Sequence, residues 1–338
     1  MHLKKLLRTS ALVAAASIST AAVADVKVSG FQEWNYLDAG GSFKSTLGSL
    51  TALTFSGSGD LDNGIGYSVS YDIEDGDAAG HNITFDLGGG LKLGIGYDQS
   101  YGIETVKAIS PYVNNRRADI TGAHRGFPTA ARKPLGPDVW DTSSGENAIG
   151  LSFKNDLAAI SFGFTPVRDV NTSSDAIPTT GASEYGTATS IGVKLTPVDG
   201  LTIGFGTSSE ESDATANSDP KGTTIGFQYK IGSFAIGYQE IENELDDTTT
   251  QRVTTTEIQE GGVAYKVNDA LTIGVFAANI NYLTVNTDNG VETGMGIVQV
   301  GYNLGPAVIQ YDYADGSDLN STKDTEYEIH KVKIKVQF

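Results

Sequence analysis

Arginine is the residue type with the clearest chemistry in this chain. Seven arginines occur in 338 residues, and four of them (Arg116, Arg117, Arg125, Arg132) fall within NNRRADITGAHRGFPTAARK at 114–133. A guanidinium keeps its charge at every relevant pH and presents a rigid fork of donors to carboxylates and phosphates. Between Thr105 and Pro137 six basic residues (Lys107, Arg116, Arg117, Arg125, Arg132, Lys133) meet one acid, Asp119. A cluster of that kind acts on anions, and Pro111, Pro128, Pro134 and Pro137 restrict its backbone. The same residues have a plainer use, pairing with Asp119, Asp138 or Asp141 to pin the segment or touching lipid phosphates.

Catalytic chemistry finds little support. There is no cysteine, and the four histidines (His2, His81, His124, His330) lie far apart. No H-E-x-x-H run and no G-x-S-x-G turn is present. The G-x-G pairs at Gly64/Gly66, Gly94/Gly96 and Gly204/Gly206 lack the third glycine and following helix of a dinucleotide site, and read as glycine on one face of a strand. DLDNG starts like a calcium loop, but its twelfth position is Tyr71, so a tight turn is expected. No resident cofactor or protein-enclosed metal is expected. Acidic runs at Glu242–Asp247 and Ser208–Asp213, with Asp312, Asp315 and Asp318, are expected in outer loops. There they are solvated charge, or share surface Ca2+ with lipid phosphates.

The elements that position these groups begin after residue 24. Lys4, Lys5 and Arg8, then a small-residue apolar stretch, then Ala22-Val23-Ala24 follow the order of an export signal with its cleavage site. The expected organisation is a signal peptide at 1–24 and one domain at 25–338. Residues 25–338 carry 20 lysines and arginines (23 minus Lys4, Lys5 and Arg8) against 41 acids, a net of −21. That sign excludes nucleic acid as a partner, and the absence of cysteine excludes a disulfide framework.

From there the chain alternates. GIGYSVSYDIE (64–74) puts Ile65, Tyr67, Val69, Tyr71 and Ile73 on one face and Gly66, Ser68, Ser70, Asp72 and Glu74 on the other. LKLGIGYDQSY (91–101) and the stretches TSIGVKL, LTIGFGT, TTIGFQYK and FAIGYQE repeat the pattern. A period of two means strands with one apolar and one polar face. The polar faces are mostly Gly, Ser, Thr and Ala, unlike the Lys/Glu density of a solvated surface. Aromatics gather toward the strand ends (Trp34, Tyr36, Tyr71, Tyr101, Tyr238, Tyr311, Tyr313, Phe338), as in a lipid-facing belt with aromatic girdles.

Short turns at 60–64, 88–90, 155–156, 196–200, 230–233, 267–270 and 303–307 alternate with longer polar connections near 38–46, 75–80, 102–146, 166–185, 208–222, 241–255, 281–291 and 315–324. Seven turns and eight connections give 16 strands with both termini at the short-turn end. The expected fold is all-β: a transmembrane antiparallel 16-stranded β-barrel, wide enough for a water-filled lumen. Closure satisfies every backbone group within lipid, so no membrane helix is required. Lys27, Lys92, Lys154, Lys194, Lys230 and Lys266 all fall near the short-turn ends of their strands. Inside a barrel they would form a lysine-rich periplasmic vestibule; snorkelling to the membrane interface is the alternative.

The chain closes on EYEIHKVKIKVQF, with Val332, Ile334, Val336 and Phe338 on one face, and opens its first strand on DVKVSGFQEW. Together with the export signal, 16 alternating strands and a long third loop, this resembles the Gram-negative general porins, most closely those of alphaproteobacteria. The resemblance implies an outer-membrane homotrimer passing small hydrophilic solutes and ions, in contact with outer-membrane lipid and lipopolysaccharide. It implies that Phe338 belongs to the signal read by the barrel-assembly machinery. It also implies an inward-folded third loop, about 102–146, that narrows the pore. Arg116, Arg117, Asp119, Arg125, Arg132 and Lys133 would then sit at the constriction, with Glu33, Asp72 and Asp98 as facing-wall candidates. In the family the inward loop usually carries carboxylates and the wall arginines, so this chain departs from the pattern. The second loop, about six residues, is shorter than the trimer latch it provides in relatives. Two other readings stand beside this one: a substrate-specific channel for phosphate or carboxylates, and a secreted, soluble β-sandwich binding protein.

Overall fold

A computed structural model describes residues 26–39, 45–97, 101–106, 109, 147–166, 187–211, 221–247, 252–284, 292–317 and 326–338. These residues form a closed antiparallel barrel of 16 strands in sequential order, with the last strand paired to the first. The strands are β1 (Lys27–Ala39), β2 (Thr46–Asp60), β3 (Gly66–Glu74), β4 (Asp77–Gly88), β5 (Leu91–Tyr97), β6 (Asn147–Lys154), β7 (Ala158–Thr165) and β8 (Ala188–Val198). They continue as β9 (Leu201–Glu210), β10 (Lys221–Ile231), β11 (Phe234–Asp247), β12 (Arg252–Lys266), β13 (Leu271–Thr284), β14 (Glu292–Leu304), β15 (Ala307–Ser317) and β16 (Glu326–Gln337). A single 3-10 turn, Gly102–Val106, follows β5.

Alternation decides which residues share a face, because cross-strand partners point the same way. One face carries large apolar side chains in the open: Ile225 is 56 % exposed and Val275 58 %. So much exposed Ile, Val and Phe is the mark of a surface meant for lipid rather than water. This overturns the soluble sandwich, whose apolar face would be covered. The other face points into the lumen and carries the glycines and polar groups. Among the described residues no helix is long and apolar enough to cross a membrane, and the closed sheet leaves no edge to satisfy.

All seven short turns join the expected strands. The GGG turn is tight because Gly88, Gly89 and Gly90 all take positive φ (83°, 62°, 85°), a backbone only glycine adopts without strain. The second long connection is shorter than the six residues expected. It is the two-residue turn Asp75–Gly76, both at positive φ (48° and 90°), and β4 already begins at Asp77. An Asp-Gly pair is the favoured two-residue hairpin turn, and the small residues Ala78-Ala79-Gly80 hid the strand start. The Asp75 carboxylate accepts the Thr51 N–H (2.9 Å), tying this turn to β2.

The acidic runs are placed differently from the expectation. Glu242–Asp247 belongs to β11, Ser208–Glu210 to β9, and Asp312 and Asp315 to β15. Strands continue past the apolar band, so polar residues there keep the two-residue alternation and need no loop. Glu240, Glu242, Glu244, Glu257, Asp315 and Glu328 lie on the outward parity at the long-connection end, and Glu242 faces Glu257 directly. Just inside this zone, outward rings stack: His81 lies between Tyr71 (6.4 Å) and Tyr97 (5.8 Å).

The seam is closed by the chain's own end. Gly30 N–H donates to the Phe338 carbonyl (3.0 Å) and Phe338 N–H to Gly30 O (3.1 Å). The Phe338 ring lies 3.0 Å from where a Gly30 Cβ would stand, so a side chain at position 30 would unseat the terminal residue.

Candidate functional site

The lumen wall divides into two sectors. On β5–β11 the inward face is paved with glycine, alanine, serine and threonine. Small side chains let a second layer of backbone approach closely, and residues 101–106 with Ile109 supply it. The Tyr101 ring occupies the space a Cβ would take at Gly94 or Gly150. Gly206 faces Ile103 and Val106, each 2.8 Å from a notional Cβ. Tyr101 is thus a lumen residue, contrary to its expected place in the outward girdle; it lies beyond the end of β5, where strand parity no longer governs direction.

Hydrogen bonds fix this layer. Gly102 N–H donates to Ser161 Oγ (2.9 Å), and Thr105 Oγ1 donates to Gly102 O (2.8 Å). Gln239 on β11 is the hub: its Oε1 accepts Ile109 N–H (2.8 Å), and its Nε2 donates to Val106 O (3.0 Å) and Thr224 Oγ1 (2.8 Å). Gln228 Nε2 donates to Ile109 O (3.1 Å). Ile103, Val106 and Ile109 are buried, as are the inward Ile241, Ile258 and Ile280 in register on β11–β13. Alternation alone assigns such isoleucines to a strand face, and nothing in the sequence marks that face as inward.

The second sector, β14–β16 with β1, is charged. Glu33 is 4 % exposed, and its Oε1 lies 3.6 Å from Lys333 Nζ and accepts Asn35 Nδ2 (3.1 Å). Asp312 Oδ1 accepts Gln310 Nε2 (2.8 Å) and Gln299 Nε2 (3.0 Å), and Asp312 faces Lys331 across β15–β16. Lys335 Nζ sits 3.4 Å over the Phe31 ring, a cation–π contact. The inward lysines 331, 333 and 335 were missed in the sequence. Their signal was HKVKIKVQF itself, where lysine alternates with the apolar residues that face lipid.

The six lysines expected at the short-turn end all fall on the inward parity: Lys27, Lys92, Lys154, Lys194, Lys230 and Lys266. Lys266 pairs with Asp269 in the β12–β13 turn (2.8 Å). That contact holds the Asp269 carboxyl below its ordinary pKa, first through the hydrogen bond and then through charge. The other five make no ion pair among the described residues.

Of the facing-wall candidates, Asp72 points inward on β3 beside Thr54, and Glu33 is engaged by Lys333. Asp98, Arg116, Arg117, Asp119, Arg125, Arg132 and Lys133 lie outside the described residues. Glu210 and Glu260 are further inward, buried carboxylates, on β9 and β12. Among the described residues no three His, Asp or Glu side chains converge on a metal position. Among the described residues the arrangement offers fixed charges along the lumen.

Residues 9–319 match a family described as Gram-negative porin. No curated relative matches. Among solved structures, an anion-selective porin from Comamonas acidovorans is similar at 13 % identity and a TM-score of 0.64, covering 93 % of this chain and 100 % of that one. A trimer form of the outer-membrane protein OmpT of Vibrio cholerae is similar at 12 % identity and a TM-score of 0.62, covering 93 % and 99 %. A refined porin structure gives 15 % identity and a TM-score of 0.63, covering 93 % and 100 %. At such identities these are likenesses of fold.

Proposed function

The chain belongs to the Gram-negative porin family, and from that premise we propose that its channel is a homotrimeric general pore favouring anions. Membership makes it an outer-membrane channel, not an enzyme. Small hydrophilic solutes and ions cross such a lumen by passive diffusion. The preference for anions is carried by one observation: five inward lysines at the short-turn, periplasmic end have no carboxylate partner among the described residues. Charges lining a narrow aqueous passage with low-dielectric walls act strongly on a passing ion.

In this reading, 1–24 is the removed signal peptide and 102–146 narrows the lumen. Arg116, Arg117, Arg125, Arg132 and Lys133 add to the positive field, with Asp119, Asp72 and Asp98 as its counter-charges. The glycine paving under residues 101–106 and Ile109 supports the inward course of that segment. Phe338, seated on Gly30 at the seam, serves as the assembly signal. The outward carboxylates at the outer end, Glu242 and Glu257 above all, face the lipopolysaccharide layer, where Ca2+ would bridge them to lipid phosphates. A porin needs no cofactor for conduction.

The test is the reversal potential across a planar bilayer in a potassium chloride gradient. A chloride preference is expected, weakened in the Arg116→Glu, Arg117→Glu double variant. A clear potassium preference, unchanged in that variant, sinks the reading.

A further inference from the structure

The periplasmic lysines are not evenly spaced. Lys154 on β6 and Lys194 on β8 flank the same residue, Ala159 of β7, in direct register. Lys92 on β5 stands opposite Ser152, two residues from Lys154 on the next strand. Alternate strands lie about 10 Å apart, within the span of two four-carbon stems reaching toward each other. The floor between the lysines is the Ala159 methyl group and the Ser152 hydroxyl, neither of them bulky or charged.

Three ammonium groups on one patch repel one another, and among the described residues no carboxylate pairs with them. Asp86 faces Lys92 across β4–β5, but its Oδ1 accepts the Gly88 N–H (3.0 Å) in the adjoining turn and makes no ion pair with Lys92. The contrast is with mid-barrel, where Lys333 has Glu33 at 3.6 Å. The arrangement is complementary to a ligand with several negative oxygens, which meets two or three ammonium groups at once. A chloride ion meets them one at a time.

We propose that Lys92, Lys154 and Lys194 form a binding station for divalent oxyanions of the phosphate type at the periplasmic end of the lumen. The proposal deepens the anion-favouring reading by naming a solute class and a place. It makes the channel a general pore with a transient stop for phosphate-like solutes. Phosphate and sulfate share the chemistry; a station of ammonium groups takes both.

The test is inorganic phosphate added to the full-length trimer conducting chloride in a planar bilayer at neutral pH. A saturable fall in chloride current is expected, half-complete at roughly millimolar phosphate, the range of weak sites. Sulfate should compete. In K154Q/K194Q the half-effect should move at least about tenfold higher, the loss that accompanies ~1.4 kcal/mol. K154R/K194R should retain it. K221Q, outward-facing at the opposite end of β10, should match the unaltered protein. If K154Q/K194Q does not assemble, K92Q is read instead. No saturable phosphate effect in the unaltered protein overturns the proposal, as does an unchanged half-effect in K154Q/K194Q or, in its place, K92Q. Reversal potentials on the same bilayers separate the two readings: chloride preference without phosphate block defeats the station alone, and potassium preference with block defeats the general anion reading alone.

Discussion

The two lumen sectors solve the same problem by different means. At mid-height on β5–β10 the wall is mostly glycine, alanine, serine and threonine, and a second layer of chain rests on it through close backbone approach and two glutamines, Gln228 and Gln239. On β14–β16 and β1 the wall carries long charged side chains that satisfy one another. Small residues make room for backbone; large charged ones hold it off and shape the field. The first arrangement concentrates its side-chain contacts to the backbone on Ser161, Gln228 and Gln239. The second is a network in which Lys333, Lys331, Glu33, Asp312 and two glutamines share the burden.

This difference predicts an order of sensitivity. Gln239→Leu should cost most, about 3 kcal/mol or more of barrel stability. It strands Ile109 N–H and Val106 O, each a buried group worth roughly 1–3 kcal/mol when unpaired, while Thr224 Oγ1 keeps its donation to Glu240 O (2.9 Å). Urea unfolding of the barrel in lipid measures the loss, and single-channel recordings should show added current noise as residues 101–106 and Ile109 loosen. Gly192→Val comes next, at about 2 kcal/mol, the usual scale of overpacking. Its new side chain meets Gly102 O and Thr105 Oγ1, and the expected readout is lost stability with altered conductance. Glu33→Gln should cost least, about 1 kcal/mol. The shape is kept, and Lys333 retains other contacts. Its clearer effect should be a reversal potential shifted toward chloride, because a negative charge leaves the lumen. A larger stability loss for Glu33→Gln than for Gln239→Leu would break the comparison and make the charged wall the fragile one.

Strand count and turn positions were legible because each depends on a local period. A residue two positions along a strand shares its face wherever the strand lies. The second connection and the acidic ends of β9, β11 and β15 were misjudged because polarity is an unreliable mark of a loop in strands that outrun the membrane. Lys331, Lys333 and Lys335 were present in the pattern but overshadowed by the apolar residues between them.

Sequence by itself determined the alternation and the seven short turns from which a 16-stranded barrel is expected; the pairing of the last strand with the first, which closes it, is seen in the structure. Tertiary structure alone decided what the inward residues meet. Gly94, Gly150, Gly192 and Gly206 come from four strands, yet they form one surface for residues 101–106. Lys154 and Lys194, forty positions apart, flank one alanine. The physical reason is closure. Period two fixes the face of each residue along its own strand, but neighbours across the sheet are set by hydrogen-bond register, which no single strand encodes.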